Sequence, residues 1–397
     1  MNYLIFCSFE VGGLIFKMAQ TLNYHGIKAY YISLAQIPCG NYNSTEFHYG
    51  KRQEAWDLSP LFFKNENRLN ESVKILRRIK KDYGITACLA TGHKSYLLKE
   101  AGIKYKYWTY GADLYHYNNP SIILAGLPAW KKVMLSPYVL LGYARQQKKS
   151  ILYASSMWLE FHQLKVHQRL YPKKPVFFLP RVVKTADYRQ LCREKAESKN
   201  MVCRATGAKQ FFFSSTRHFW AGNNNRLVDC KANDVIVNAF ARYLEISNDK
   251  STRLILVKRG PDASQSEQLA RKLGIDGFVV WINEVKRDDL RAYYQGASAC
   301  LGQFGAPILA YTALEPLACA TPTASFFEYN NALVPFYITP PPVFNCKEPA
   351  VIAEFMRKMV SEPDYASRLS YDSWSWAKEN CSEEKFVESF VKEMDLE

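Results

Sequence analysis

Apolar residues in this chain gather in short runs. Between the runs they return every three or four positions, with polar side chains filling the gaps. The runs read as strands covered on both faces, the spaced stretches as helices with one apolar side. Tyr3 to Cys7 (YLIFC) is followed by Gly12 and Gly13, a helical pattern from Leu14 to Tyr24 closed by Gly26, and a second strand at 28–33. This is a β-loop-α-β unit with glycines at its first turn, the start of a doubly wound domain. A basic amphipathic helix is expected over 68–83. Strands are expected at 85–90 (ITACLA, running to Thr91-Gly92-His93), 104–110 (KYKYWTY, running into Gly111-Ala112-Asp113), 151–156 (ILYASS) and 176–180 (VFFLP).

The alternation resumes at QFFFSST (210–216). A helix opens near Asn233 or Asp234, either of which suits an N-cap. Then come RLILVKRG as strand, SEQLARKLG as helix, GFVVWIN as strand, DDLRAYYQGA as a helix opened by two aspartates, and ACLGQF as strand. The tail, 350–397, reads as helical. Alternation at this spacing predicts an α/β protein with two Rossmann-like, doubly wound domains. The expected divisions are 1–183, a polar linker and surface helix at 184–209, a second domain at 210–370, and a closing helical segment at 371–397 that packs back on the first domain.

Composition narrows the class. The chain has 397 residues, 48% hydrophobic and 22% charged, which suits a globular protein of two domains. No apolar stretch reaches the roughly 18 residues of a bilayer-spanning helix. The first residues lack the basic start and small-residue cleavage site of a secretory signal, so a cytoplasmic protein is expected. Ten cysteines carry no C-x-x-C pair or metal-ligand spacing, which fits reduced thiols and predicts no metal. The net charge of +15 suits nucleic acid, an anionic membrane or phosphate-bearing ligands, and position must decide among them. No nucleic-acid motif is present. One segment, 127–150, sets Trp130, Met134, Leu135 and Tyr138 among Lys131, Lys132, Arg145, Lys148 and Lys149. Cations around an aromatic centre fit a stretch lying on an anionic bilayer, with Pro137 as a kink; a core helix with solvated ends is the other reading.

The candidate chemistry concentrates in Leu301–Ser325. A strand there meets a glycine loop (Gln303, Phe304, Gly305, Ala306) and then an apolar helix holding one carboxylate, Glu315, before Thr321-Pro322 stops it. Glu315 is expected to accept hydrogen bonds from a ribose diol. Arg217 follows the strand FFFSST and Lys231 precedes the next helix, so the two can clamp a diphosphate at a helix start. On the first domain, His93, Asp113 and His116 stand at strand ends expected to share a rim, where they can take an acceptor hydroxyl or its proton. Gly12 and Gly13 form either a ligand loop or a tight turn.

These residues resemble a known family. Arg217 with Lys231-Ala-Asn-Asp-Val-Ile, then LILVKRGPD, VVWINEVKRDDLRAYYQGASACLGQF and ALEPLACATPT are similar to the donor domain of retaining GT-B glycosyltransferases of the family 4 type, which build bacterial polysaccharide and lipopolysaccharide. YGADL (110–114) and LPRVVKTADY (179–188) extend the resemblance over most of the chain. It implies two domains facing across a cleft and sugar transfer from a nucleotide-diphosphate sugar to a glycan or lipid-linked acceptor, with retention and without metal or other cofactor. It further implies diphosphate binding by Arg217 and Lys231, ribose binding by Glu315, an acceptor-side Gly111-x-Asp113, and a sugar-side histidine that is His93 or His116. The family pairs two acids; here Pro307 stands in the first acid's place, which leaves Gln303 or the backbone at Gly305 and Ala306 for that contact. A nucleotide-sugar epimerase on the same fold and a non-catalytic basic binding protein are the alternatives.

Overall fold

The computed structural model describes residues 1–8, 13–34, 54–63, 69–109, 114, 129–159, 163–221, 230–328, 337 and 339–395, with backbone alone at 138–141. Gly12, Gly111, Asp113 and His116 lie outside the described residues. The chain divides into two compact units, Met1–Leu179 with Phe386–Glu397, and Pro180–Lys385.

In the first unit, six parallel strands lie in the order β2-β1-β3-β4-β5-β6. They are β1 (Asn2–Cys7), β2 (Ala29–Ser33), β3 (Ile85–Thr91), β4 (Lys106–Trp108), β5 (Met157–Trp158) and β6 (Val176–Phe177). Helices α1 (Leu14–Tyr24), α2 (Leu69–Asp82), α3 (Tyr96–Glu100), α4 (Ala129–Tyr138), α5 (Arg145–Tyr153) and α6 (Leu164–Leu170) connect them, with a π-helical turn at Val139–Ala144 between α4 and α5. Alternation along β1 separates two faces. Leu4 and Phe6 join a cluster with Leu76 and Ile79 of α2, Leu97 of α3 and Ile151 of α5. Tyr3 instead meets Phe390 edge-on at 5.2 Å, near the end of the chain. With both faces covered, β1 is apolar almost throughout.

The expected strand at 151–156 is not one. Ile151 to Tyr153 end α5, whose Gln147, Ser150 and Ile151 are buried, and only Met157 and Trp158 enter the sheet. The apolar run was shared between a helix end and a strand start, a division that short runs do not reveal.

The second unit carries β7 (Gln210–Ser214), β8 (Thr252–Val257), β9 (Val279–Ile282), β10 (Ala299–Leu301), β11 (Thr323–Ser325) and β12 (Val343–Asn345), all parallel, in the order β12-β11-β10-β7-β8-β9. Its helices are α7 (Tyr188–Thr206), α8 (Asn233–Ser247), α9 (Ala263–Lys272), α10 (Arg287–Gly296), α11 (Tyr311–Ala318), α12 (Pro349–Ser361) and α13 (Pro363–Cys381). Three consecutive phenylalanines in β7 serve both faces. Phe212 packs with Phe240, Tyr243 and Met356, while Phe211 and Phe213 pack with Val202, Leu290 and Tyr294.

The polar run expected as a linker and surface helix is, over 188–206, helix α7 of this unit. Asp187 caps it by accepting from the backbone N–H of Arg189 and Gln190, and Gly207 ends it at φ 68°. Val202 supplies its apolar contact, and α10 approaches so closely that a Cβ on Gly296 would lie 2.8 Å from the Lys199 backbone nitrogen. Helix α13 runs through the expected boundary at 370. The last helix, α14 (Glu383–Met394), leaves the second unit, and Phe386–Glu397 belong to the first. There Tyr3 donates to the Asp395 carboxylate at 2.5 Å and Lys106 donates to the Glu393 carbonyl.

Candidate functional site

Parallel strands end on one rim, and a ligand crevice opens where the strand order reverses. In the second unit that point lies between β7 and β10, so the loops after these two strands matter most. The β7 loop is held from three directions. Asn233 donates to the Thr216 carbonyl at 3.2 Å and accepts from the Phe219 N–H at 3.2 Å. One oxygen of Asp262 accepts from the N–H of Trp220 (2.6 Å) and Ala221 (3.0 Å). The His218 N–H donates to the Arg259 carbonyl at 2.7 Å, and the turn beyond requires Gly260, at φ 109°, because a Cβ would run into the His218 carbonyl. Asn233 was expected as a helix cap. Its side chain is spent on the loop, and Ala232, at φ 49°, occupies the cap position without a side-chain bond.

Lys231 joins the two loops. Its N–H donates to the Phe219 carbonyl (2.7 Å), and its carbonyl accepts from the Phe304 N–H (3.1 Å). Its Nζ donates to Gln303 Oε1 at 2.7 Å, and the buried Gln303 amide nitrogen donates onward to the Ile308 carbonyl at 3.0 Å. Gly305 lets the backbones meet, since a Cβ there would lie 2.5 Å from the Cys230 carbonyl oxygen. Lys231, Gln303, Phe304, Gly305 and Ala306, expected from sequence, thus form one constellation. Arg217 lies over the Phe219 ring, 5.5 Å from its centroid, on the same strapped loop.

Glu315 projects from the middle of α11. Its Oε1 pairs with Arg287 Nη1 at 2.5 Å, with both side chains under 20% exposed. Its Oε2 accepts from the Tyr294 hydroxyl at 3.0 Å, and that hydroxyl meets Ser215 Oγ at 2.7 Å. A chain of polar contacts therefore links α11, α10 and the end of β7. Helix α11 starts without a side-chain cap at Ala310, beside Tyr311, whose ring lies 5.3 Å from the Arg181 guanidinium and 5.8 Å from that of Arg287. Uncapped N–H groups and nearby guanidiniums together favour an anion. Sequence reading missed Arg287, Tyr294, Asn233 and Asp262. Their partners lie 28, 21, 14–17 and 41–42 residues away, beyond any local pattern.

In the first unit the order reverses between β1 and β3. Gly92, at φ 91°, passes so close to Ser8 that a Cβ would lie 2.6 Å from its Oγ. Ser8 Oγ accepts from the Lys94 N–H at 2.8 Å. His93 sits between, its carbonyl accepting from Ser150 Oγ at 2.8 Å and its ring 4.3 Å from that of Tyr143. Burial pushes the His93 pKa down to about 4, with the neighbouring Lys94 charge adding to it, so the ring is neutral at pH 7. Its Nδ1 is buried without a hydrogen-bond partner among the described residues. Gly13 caps α1 in the left-handed region at φ 70°. His218, in the second unit, is also pushed down to about 4 by burial, and its Nδ1 bonds Ser266 Oγ at 2.8 Å.

These two sheets, each with its strand-order reversal, are matched in known structures along the full chain. Anabaena Alr3699/HepE, solved with UDP-glucose, matches at a TM-score of 0.64 over 100% of both chains at 10% identity. The fold is that of the GT-B glycosyltransferases. A glycosyltransferase from Rickettsia africae (TM-score 0.62, 13% identity, 99% and 98% of the two chains) and WaaG, a glycosyltransferase involved in lipopolysaccharide biosynthesis (0.59, 15%, 100% of both), share this GT-B architecture. In sequence, a D-inositol 3-phosphate glycosyltransferase of Kribbella flavida is 31% identical over 107 residues, 25% of this chain. That match spans a quarter of the relative's own length. No family model matches the chain. Among the described residues no helix is long and apolar enough to cross a membrane.

Proposed function

We propose that this protein is a retaining, metal-independent glycosyltransferase that moves a sugar from a nucleotide-diphosphate sugar to a glycan or lipid-linked acceptor, at an anionic membrane surface faced by 127–150. The observation that carries the reading is the Lys231–Gln303–Gly305 junction at the strand-order reversal, with Arg217 on the adjoining loop and Glu315 held by Arg287 and Tyr294.

In this reading Arg217 and Lys231 neutralise the diphosphate, and Lys231 trades its bond to Gln303 for a phosphate oxygen. Glu315 accepts from the ribose, since a carboxylate has lone pairs beyond the two already engaged. The bond between the anomeric carbon and the diphosphate oxygen breaks. The acceptor oxygen bonds that carbon on the same face, and its proton passes to the departing diphosphate. Preorganised cations stabilise the charge that develops. His93, neutral and with Nδ1 available, is assigned to the sugar or acceptor hydroxyl, together with Asp113 and His116. Gln303 and the backbone at Gly305 and Ala306 take the sugar contact where Pro307 stands.

A thermal-shift panel of UDP-, GDP-, ADP- and CMP-sugars tests this, because a ligand bound only to the native state must raise the melting temperature. One nucleotide class should raise it, and Lys231→Ala should reduce the rise at the same ligand concentration. No response from any nucleotide sugar, or conversion of the donor to a new nucleotide sugar without acceptor, overturns the proposal.

A further inference from the structure

We infer that the donor's sugar carries a carboxylate, so that the substrate is a nucleotide-activated uronic acid; this rests on the donor function proposed above and names its class of sugar. The loop between β10 and α11 is one-sided in its hydrogen bonds. From Ala306 to Ala310 every carbonyl accepts from the protein. Ala306 accepts from the Ile308 N–H (2.8 Å), Pro307 from the Glu328 N–H (3.4 Å) and Ile308 from the Gln303 amide (3.0 Å). Leu309 accepts from Arg181 Nη1 (2.6 Å), and Ala310 from the N–H of Ala313 (2.9 Å) and Leu314 (3.1 Å). The donors are the reverse. Pro307 has no N–H and that of Ile308 is used, while those of Gly305, Ala306, Leu309 and Ala310 meet no acceptor among the described residues. Gly305 and Ala310 are partly exposed, and Ala306 and Leu309 are buried. Sheltered N–H groups without a partner are rare in folded chains, so a run of them calls for an acceptor from outside.

The side chains of the loop supply no acceptor either. Residues 304–310 (FGAPILA) carry no polar side chain, and Pro307 stands where an acid was expected. Gln303, 1% exposed, turns its amide nitrogen to the loop carbonyls and its oxygen to Lys231 Nζ at 2.7 Å. The charged side chains bonded to this stretch are cations, Arg181 directly and Lys231 through Gln303. A neutral hexose here would bring hydroxyl protons to a surface made of donors, and each proton would lack an acceptor. A carboxylate is acceptor-only when ionised, spans two N–H groups, and gains from a guanidinium beside it. The diphosphate has Arg217 and Lys231 in the proposed function, which leaves the loop N–H groups and Arg181 to the sugar.

The test compares matched donors on the full chain by titration calorimetry: UDP-glucuronate against UDP-glucose, and GDP-mannuronate against GDP-mannose. In the nucleotide class that binds, the uronate should bind about tenfold tighter or more, and the advantage should shrink as salt rises. Pro307→Glu returns an acid to the loop and should reverse the order, favouring the neutral sugar severalfold. Arg181→Gln should cut the uronate advantage severalfold, and Arg181→Lys should restore part of it. A rise in melting temperature with UDP or GDP alone shows that each variant folds. Equal or tighter binding of the neutral sugar by wild type, or a uronate advantage that survives both Pro307→Glu and Arg181→Gln, overturns the inference and leaves the glycosyltransferase function standing. No response to any nucleotide sugar overturns that function and this inference with it.

Discussion

The two units share one plan, a six-stranded parallel sheet whose strand order reverses at one point, yet they equip it differently. The first unit has 25 Lys and Arg against 14 Asp and Glu, a net +11; the second has 27 against 23, a net +4. The more basic unit does not hold the candidate phosphate clamp. In the second unit the cations at the rim are few and their surroundings are fixed: Arg259 pairs with Glu284 at 3.3 Å, Arg287 with Glu315, and Lys231 bonds Gln303. In the first unit, exposed Lys and Arg line α2, α4 and α5, whereas the described rim holds a half-buried, neutral histidine. Net charge thus reports a surface, and placed charge reports a site.

The largest effect that would sharpen this contrast comes from the two crowded glycines. Gly260→Ala drives a Cβ into backbone atoms of His218, which cannot rotate away. Gly92→Ala meets the Cβ and Oγ of Ser8, of which only Oγ can rotate away, and no backbone atom closer than 3.2 Å. Both also force a side chain into positive φ, at roughly 1–3 kcal/mol. Gly260→Ala should cost about 3 kcal/mol or more and Gly92→Ala about 2 kcal/mol, read as falls in melting temperature of roughly 2–4 °C per kcal/mol. Equal falls would mean that the second rim is no stiffer than the first.

Acid should act on both units. His93 and His218 each have a folded pKa of about 4, below the unfolded value near 6.5, so the unfolded chain binds more protons between the two. Stability is complete above pH 6.5, falls as the pH drops toward 4, and levels off below. Each ring contributes about 3 kcal/mol to that loss. His93→Gln and His218→Gln should each flatten the melting temperature against pH over this window, and an unchanged slope in either variant shows that its histidine is not the source.

Donor affinity separates the units next. Lys231→Ala should weaken nucleotide-sugar binding about 10- to 100-fold, the worth of a charge-assisted hydrogen bond at roughly 1.5–3 kcal/mol. Removing Lys74, on an exposed face of the first unit, should leave affinity within error in the same titration. The smallest effect concerns α7. Asp187→Ala removes its N-cap at about 1 kcal/mol, and this should lower the melting temperature if α7 is integral to the second unit. An unchanged value would return that stretch to the role of a linker.

Much of this was legible along the chain. The glycine-turn start, the alternation of strands and helices, the triple phenylalanine, Lys231, Gln303 and Gly305 at strand or helix ends, and Glu315 as a lone carboxylate inside an apolar helix are local features. Composition and periodicity express them over a few residues. What the sequence did not disclose is who meets whom. Apolar parallel strands look alike, so nothing local says that β10 lies beside β7, and that neighbour relation brings Gln303 to Lys231. The Arg287–Glu315 pair spans 28 residues, and Asp262 reaches a loop 41 residues back, because each belongs to a different strand-end loop of one sheet. The chain by itself determined which segments bury themselves and where chemistry is available. Strand order, settled only when the whole sheet packs, decided which side chains share a rim, because contacts distant in sequence form only through cooperative burial of the elements that carry them.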